Sequence, residues 1–235
     1  QSRSSAASDV YKRQILDDDA KIGKNIREVL DLDDQVLEIK STPNRADCLC
    51  IKGIAREVAV LTDCSLVPVS VSISEEDNGN DACSPTAKII ASQACGRLLI
   101  CRMQNVDNHK STPLWMKNRL LHSGITSHSF LVDVSNYVML ELGQPIHIYD
   151  AKQIKNTLHA RYAKDKEIIT CLNDKTIALE KDTLVIADDN GPISIAGIIG
   201  SQSTAVNKDS SDIVIESAYF CLLYTSPSPR DRQKS

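Results

Sequence analysis

Apolar residues recur at two spacings along this chain, and the changes between them mark its elements. In Leu131–Asp150, LVDVSNYVMLELGQPIHIYD, Val134, Tyr137, Val138 and Leu142 fall at helical spacing and predict one buried face. Ser135 is the expected N-cap, and Gly143 the expected left-handed stop. Pro145 forbids resumption of the helix, and His147 is presented just past the turn. Ser135, Asn136 and His147 are thereby gathered near one helix as a possible site.

The same patterning organises the rest. Ile26, Val29 and Leu30 predict a short helical face, and Leu37–Ile39 a strand. In Ser41–Asp63, Asp47 is an expected cap for a helix burying Ile54, Val58 and Leu61. Leu66–Thr86 reads as a linker: Val67, Val69 and Val71 alternate briefly, then polar, acidic residues follow, with a domain boundary near Asp81.

From Ala87 the pattern is α+β. Leu98 and Ile100 alternate in a strand running up to Val106. Thr112-Pro113 predicts an N-cap and first helical residue, Gly124 the stop, and Leu114, Trp115, Met116, Leu120 and Leu121 the apolar positions, with Trp115 in the core. Short strands follow at Leu158–Tyr162, at Ile168–Leu172 paired with Thr176–Leu179 across Asn173-Asp174, and at Leu184–Ala187 before the turn Asp188–Pro192. The small residues of Ile193–Val206 allow a close backbone approach to a ligand. In Asp212–Phe220, Ile213 and Ile215 face one way, and Val214 and Glu216 the other. A lone Glu in a strand reads, on this ground alone, as a solvated edge charge.

The two ends fit no pattern. Asp9–Gln14 can be written GAT GTG TAT AAG AGA CAG, whose reverse complement, read one base out of register, encodes the run from Cys221 to Thr225. Residues 1–14 and 221–235 are therefore expected to be adapter-derived scars. Each carries a net charge of +2, so their removal takes the formal charge from −4 to −8. An acidic body argues against broad phosphate-backbone binding, whose affinity comes from Lys and Arg. At 42% apolar residues the chain can form a core, yet no apolar run approaches the ~20 residues that span a bilayer. Cys48, Cys50, Cys64, Cys83, Cys95, Cys101 and Cys171 include no C-x-x-C and no His at zinc-ligand spacing, so thiols in a reducing cytoplasm are expected, with no metal.

VDVSNYVMLELGQPIHIYD resembles the V-D-V-T-N-Y-V-M-L-E-L-G-Q-P-x-H-x-F-D stretch of the editing module in bacterial phenylalanine–tRNA ligase beta subunits. Thr42, Pro43, Asn44, Arg45 and Asp47, with Gly53, Ala55, Arg56 and Glu57, resemble the T-P-N-R-x-D…G-x-A-R-E stretch preceding that module. For the T-P-N-R residues, capping and a buried Arg–Asp pair that locks a turn are expected over catalysis. Ala196, Gly197 and Gly200 match A-G-x-x-G-G, with Ser201 for the last glycine, and DIVIESAYF is similar to I-x-L-E-x-A-x-F.

The resemblance implies an α+β fold: a partial N-terminal helix-and-strand unit at 15–65, a linker at 66–86, and an editing module at 87–220 with short, largely antiparallel strands. It implies hydrolysis of mischarged Tyr-tRNA(Phe), with Glu216 reading the tyrosine hydroxyl and the Ala196-Gly197 backbone lining the pocket. His147, Ser135 and Asn136 would orient the terminal adenosine and the attacking water. Implied partners are the alpha subunit and tRNA(Phe) in a cytoplasmic assembly of two alpha and two beta subunits. ATP and magnesium would serve the whole enzyme, and this stretch needs no cofactor. The family's R-P-I-N-N is replaced by TSHSF, Thr126–Phe130, so a catalytically silent structural module of the same assembly is the alternative. Pocket residues beyond Phe220 are also expected from the family.

Overall fold

A computed structural model describes residues 21–68 and 85–221. The chain clusters into two compact units that divide between Ile39 and Lys40. The Thr42–Asp47 segment therefore groups with the later residues, while the expected boundary near Asp81 and most of the linker lie outside the described residues.

In the first unit, α1 (Ile26–Val29) is capped by the Asn25 side chain, which accepts from the Arg27 N–H at 3.0 Å, and the helix buries no residue. The strand expected at Leu37–Ile39 does not form. No partner strand meets it among the described residues of this unit, and an unpaired strand leaves its backbone to water.

The second unit begins with a 3-10 turn at Ala46–Leu49 and α2 (Ile51–Thr62). Cys50, not Asp47, caps α2: its Sγ accepts from Gly53 N at 3.3 Å. The expected buried face is only partly covered, with Ile54 half-buried. Val58 and Leu61 are exposed, and the fully buried position is Gly53, which abuts the backbone of Asp47. Helical spacing identifies an apolar face but does not say which neighbour covers it.

Next come β1 (Ala87–Ile89), β2 (Cys95–Met103), α3 (Leu114–His122), α4 (Phe130–Leu142) and β3 (Ile146–Asp150). The remaining elements are β4 (Leu158–Tyr162), β5 (Ile168–Thr170), β6 (Thr176–Ala178), β7 (Leu184–Ala187), β8 (Pro192–Ile195), β9 (Ile199–Gly200) and β10 (Ile213–Phe220). They form a five-stranded sheet in the order β1-β4-β7-β8-β9, a three-stranded sheet β2-β10-β3, and the expected β5-β6 hairpin. Only the β1–β4 pairing is parallel among these strands, so the fold is the α+β, largely antiparallel one expected.

The two larger sheets pack face to face. Leu98, Tyr149 and Val214 of the three-stranded sheet interlock with Leu158, Ala160, Ile186 and Ile193 of the other. On the opposite face, Leu131 of α4 packs on Ile148 and Ile213. The alternation along β10 therefore sends Ile213 toward the helix and Val214 between the sheets, and Glu216 follows Val214.

Four helical expectations are corrected. The α4 N-cap is Ser129, one helix turn and more before Ser135, whose Oγ instead donates to Val132 O at 2.7 Å. Asp133 explains the earlier start. It is fully buried and accepts from Thr112 Oγ1, Ser127 Oγ and His128 N, which ties the preceding loop to the first helical turn. Thr112 is thus spent on Asp133, and α3 begins after Pro113 with no side-chain cap. Trp115 is 46% exposed, outside the core, edge-on to Tyr137 with the Arg119 guanidinium 5.1 Å from its ring centre. Finally, α4 is not buried on one face: its positions from Val134 to Glu141 are all half-buried, because β3, α3 and α2 all touch it, and Leu142 is exposed.

Candidate functional site

A cavity of about 1050 Å³ opens where the two sheets part. Its walls come from the Gly143–His147 turn and strand start, the β8–β9 hairpin, and the last part of β10. Each wall has a local cause. Gly143 takes φ 78° as the α4 C-cap, as expected, and a side chain there would also strike Cys50 Sγ. Gly197 takes φ 68° in the hairpin turn, and Gly200 lies so close to His147 that no Cβ fits between them.

The antiparallel pairing of β10 with β3 sets Glu216 opposite His147 and Val214 opposite Tyr149. Directly opposed residues share a face, so His147, Tyr149 and Glu216 all point between the sheets. Glu216 is 6% exposed and lines the cavity. Its Oε2 accepts a hydrogen bond from the Tyr149 hydroxyl, the only bond of its side chain among the described residues. Ser194 Oγ lies 3.2 Å from the same hydroxyl. The solvated edge charge suggested by strand pattern alone is thus not what forms.

Burial governs the electrostatics here. It pushes the Glu216 carboxyl up to about 7, against the lowering effect of the Tyr149 hydrogen bond. It raises the Tyr149 phenol well above its ordinary value, to which the neighbouring Glu216 charge adds. It holds the His147 imidazole below its ordinary value, so that ring is neutral at pH 7. His147 sits edge-on to Tyr149 with ring centres 4.5 Å apart and makes no hydrogen bond among the described residues. Among the described residues, the cavity lining has one carboxyl group, this imidazole and no Lys or Arg.

Of the candidate site residues singled out in the sequence, His147, Gly197, Gly200 and Glu216 meet at this cavity. Ala196 lies just behind, buried against Ala91, Ala94 and Leu184. Ser135 and Asn136 sit on α4 and are not among the lining residues. Thr42, Pro43, Asn44, Arg45 and Asp47 form a turn beside α2. Arg45 bonds Asp47 at 2.8 Å and Glu57 at 2.6 Å, but the pair is half-exposed, not buried as expected. Asp47, Cys48 and Glu57 offer ligand atoms within 4.8 Å of one another, yet both carboxylates are already engaged by the Arg45 guanidinium.

Sequence reasoning missed Tyr149 and Ser194. Tyr149 was findable, since it lies two residues from His147 on one strand and must share its face. The stretch that this segment resembles closes on Phe-Asp, whereas this chain closes on Tyr149-Asp150. The added hydroxyl is the one bonded to Glu216. Ser194 was not findable, because it arrives from the other sheet.

Residues 94–228 match the family model of the B3/4 domain. The chain is 47% identical over 206 residues to the phenylalanine–tRNA ligase beta subunit of Neisseria meningitidis serogroup A, covering 88% of this chain and 26% of that protein. It is 46% identical over 202 residues to the subunit of the same name from Psychrobacter arcticus, covering 86% and 25%. A crystal structure of an N-terminal fragment of the phenylalanyl-tRNA synthetase beta subunit from Pyrococcus horikoshii is 16% identical with a TM-score of 0.45, covering 80% of this chain and 59% of that one. The chain spans about a quarter of the length of the curated relatives it matches. This chain belongs to the B3/4 domain family and is homologous, over most of its length, to phenylalanine–tRNA ligase beta subunits.

Proposed function

We propose that this chain is the editing part of a phenylalanine–tRNA ligase beta subunit and that its cavity hydrolyses mischarged Tyr-tRNA(Phe). The observation that carries this reading is a buried carboxyl group, Glu216, that is the one charged group lining the cavity among the described residues and stands beside a neutral imidazole.

The chemistry follows from a discrimination problem. An apolar pocket that accepts phenylalanine rejects the same ring carrying one added hydroxyl by only roughly a hundredfold. A second site that reads the hydroxyl removes the error. A tyrosyl side chain can donate its phenol to the Glu216 carboxylate, a charge-assisted bond. A phenylalanyl side chain would bury that carboxylate against an apolar ring edge, so the correct ester is rejected on desolvation grounds. His147 is placed beside Glu216 with its ring nitrogens unengaged, where it can orient water toward the ester carbonyl. The step is direct attack of water on the aminoacyl ester: the new C–O bond forms from water, the ester C–O bond to the ribose breaks, and the ribose oxygen takes the proton. The Ala196-Gly197 backbone is assigned to the pocket wall against the ring, and Ser135 and Asn136, on α4 outside the cavity lining, to the terminal adenosine of the tRNA.

In this reading the chain acts with the alpha subunit, as two alpha and two beta subunits, on tRNA(Phe) in the cytoplasm. ATP and magnesium serve aminoacylation elsewhere in that enzyme. The test is Tyr-tRNA(Phe) deacylation by the full two-subunit enzyme, wild type against Glu216→Ala. Hydrolysis lost in the variant supports the reading. Hydrolysis absent from both, with phenylalanine charging intact, would make the module a scaffold.

A further inference from the structure

Tyr149 is fully buried and is not among the residues lining the cavity, yet its hydroxyl reaches the one carboxyl group that is. The phenol is fixed on several sides. Its strand position pairs with Val214, its ring is edge-on to His147, and Ser194 Oγ stands 3.2 Å from its oxygen. Glu216 Oε2 is thereby engaged by a buried hydroxyl, while Oε1 makes no hydrogen bond among the described residues and Glu216 itself lines the cavity.

We propose that Tyr149 is a positioning residue that sets the specificity of this site, holding one oxygen of Glu216 so that the other is presented to the hydroxyl of an entering phenolic side chain. The inference rests on the editing reading above. A carboxylate offers about four lone-pair directions, so it accepts two phenols at once, one built into the protein and one from the substrate. The built-in phenol never competes for space, because it approaches from the core side. It does two things at Glu216. It fixes the side-chain rotamer, and it favours the ionised form whose bond to a substrate hydroxyl is charge-assisted.

Few other groups bear on that ionisation. From β3, His147 is neutral at pH 7, and from β2 the buried Cys95 thiol is pushed up by burial and stays protonated. From β8 comes the uncharged Ser194. Arg102, on β2 opposite Val214, bonds Asp212 near the far end of β10. Among the described residues, no cation stands beside Glu216 to do in Tyr149's place what its hydroxyl does.

The experiment uses the full two-subunit enzyme and measures deacylation of Tyr-tRNA(Phe) and Phe-tRNA(Phe) from pH 5.5 to 9. Wild type, Tyr149→Phe and Glu216→Gln are compared, and phenylalanine charging is read alongside as a report on folding. The Tyr149→Phe change removes one oxygen and keeps the ring. It is expected to cut the tyrosyl-over-phenylalanyl preference at pH 7 by roughly tenfold to a hundredfold. The pH midpoint at which that preference appears is expected to move upward. Glu216→Gln is expected to lose the midpoint altogether. If Tyr149→Phe keeps wild-type preference and midpoint while Glu216→Gln loses both, the positioning role is overturned and the editing reading stands. If wild type deacylates neither ester, both are overturned.

Discussion

Gly200 backs directly onto the imidazole of His147: a Cβ at that position would lie 2.5 Å from the ring Cε1 and 2.6 Å from Nε2. The missing side chain is therefore space used by the ring. Gly200→Ala is expected to displace His147, and a displacement of about 1 Å at a reacting group costs roughly a hundredfold in rate. The accompanying loss of stability should stay at about 1–3 kcal/mol, the range for an overpacked interior. Tyr-tRNA(Phe) deacylation with parallel thermal unfolding checks this. Undiminished hydrolysis in the variant would remove His147 placement from the mechanism.

The buried Glu216 predicts a pH-dependent cost to folding. Its carboxyl is raised from 4.5 to about 7 in the folded chain. Below 4.5 the group is protonated in both states and contributes nothing. Between 4.5 and 7 the unfolded chain releases its proton first, so the folded state loses stability as pH rises, and above 7 the loss is constant. The full span corresponds to about 3 kcal/mol. Glu216→Gln keeps the shape without the charge. Its stability relative to wild type should therefore rise by about that amount between pH 4.5 and 8, read by urea unfolding. A difference that does not change with pH would mean Glu216 is not titrating in that window.

These sites also mark how far the sequence could be read. The period-two pattern of β10 correctly separated Ile213 from Val214 and Glu216, because one face of a strand is a local property. Gly143 announced the end of α4 and the Asn173-Asp174 turn announced the β5–β6 hairpin for the same reason. What failed was decided at long range. Ser135 lost the N-cap role because Asp133 draws on Thr112, Ser127 and His128, and Thr112 is 21 residues away. Val58 and Leu61 were expected inside because apolar spacing carries no information about which neighbour arrives. The hydroxyl partner of Tyr149 at Ser194 comes from a second sheet 45 residues on.

The loop that departs most from the resembled family is anchored by Asp133. Ser127 and His128 belong to the TSHSF segment, and both bond this fully buried carboxylate. Asp133→Ala would strand the buried Thr112 hydroxyl, which costs about 1–3 kcal/mol when left unsatisfied, and would take away the acceptor of the solvent-accessible Ser127 hydroxyl and His128 N–H. A loss of roughly 2–4 kcal/mol is expected, with Asp133→Asn losing less because its amide oxygen still accepts. Urea unfolding at neutral pH measures both. Equal stability of Asp133→Ala and wild type would show that the loop is held by something else.

Gly53 tests whether the turn before α2 is a fixed part of the second unit. In an exposed helix interior, Gly→Ala stabilises by about 1 kcal/mol because alanine is the better helix former. Here a Cβ would collide with the Asp47 carbonyl oxygen and lie 2.6 Å from its carbonyl carbon. Backbone is on both sides of that contact, so no rotamer change relieves it. The turn that carries Arg45 and Asp47 must move off the helix, and the Arg45 bond across to Glu57 of α2 is lost with it. Gly53→Ala is therefore expected to destabilise by about 1–3 kcal/mol or more, reversing the propensity gain. The sign of the shift in the denaturation midpoint decides the matter, and a stabilised variant would mean that the turn and α2 are not packed as described.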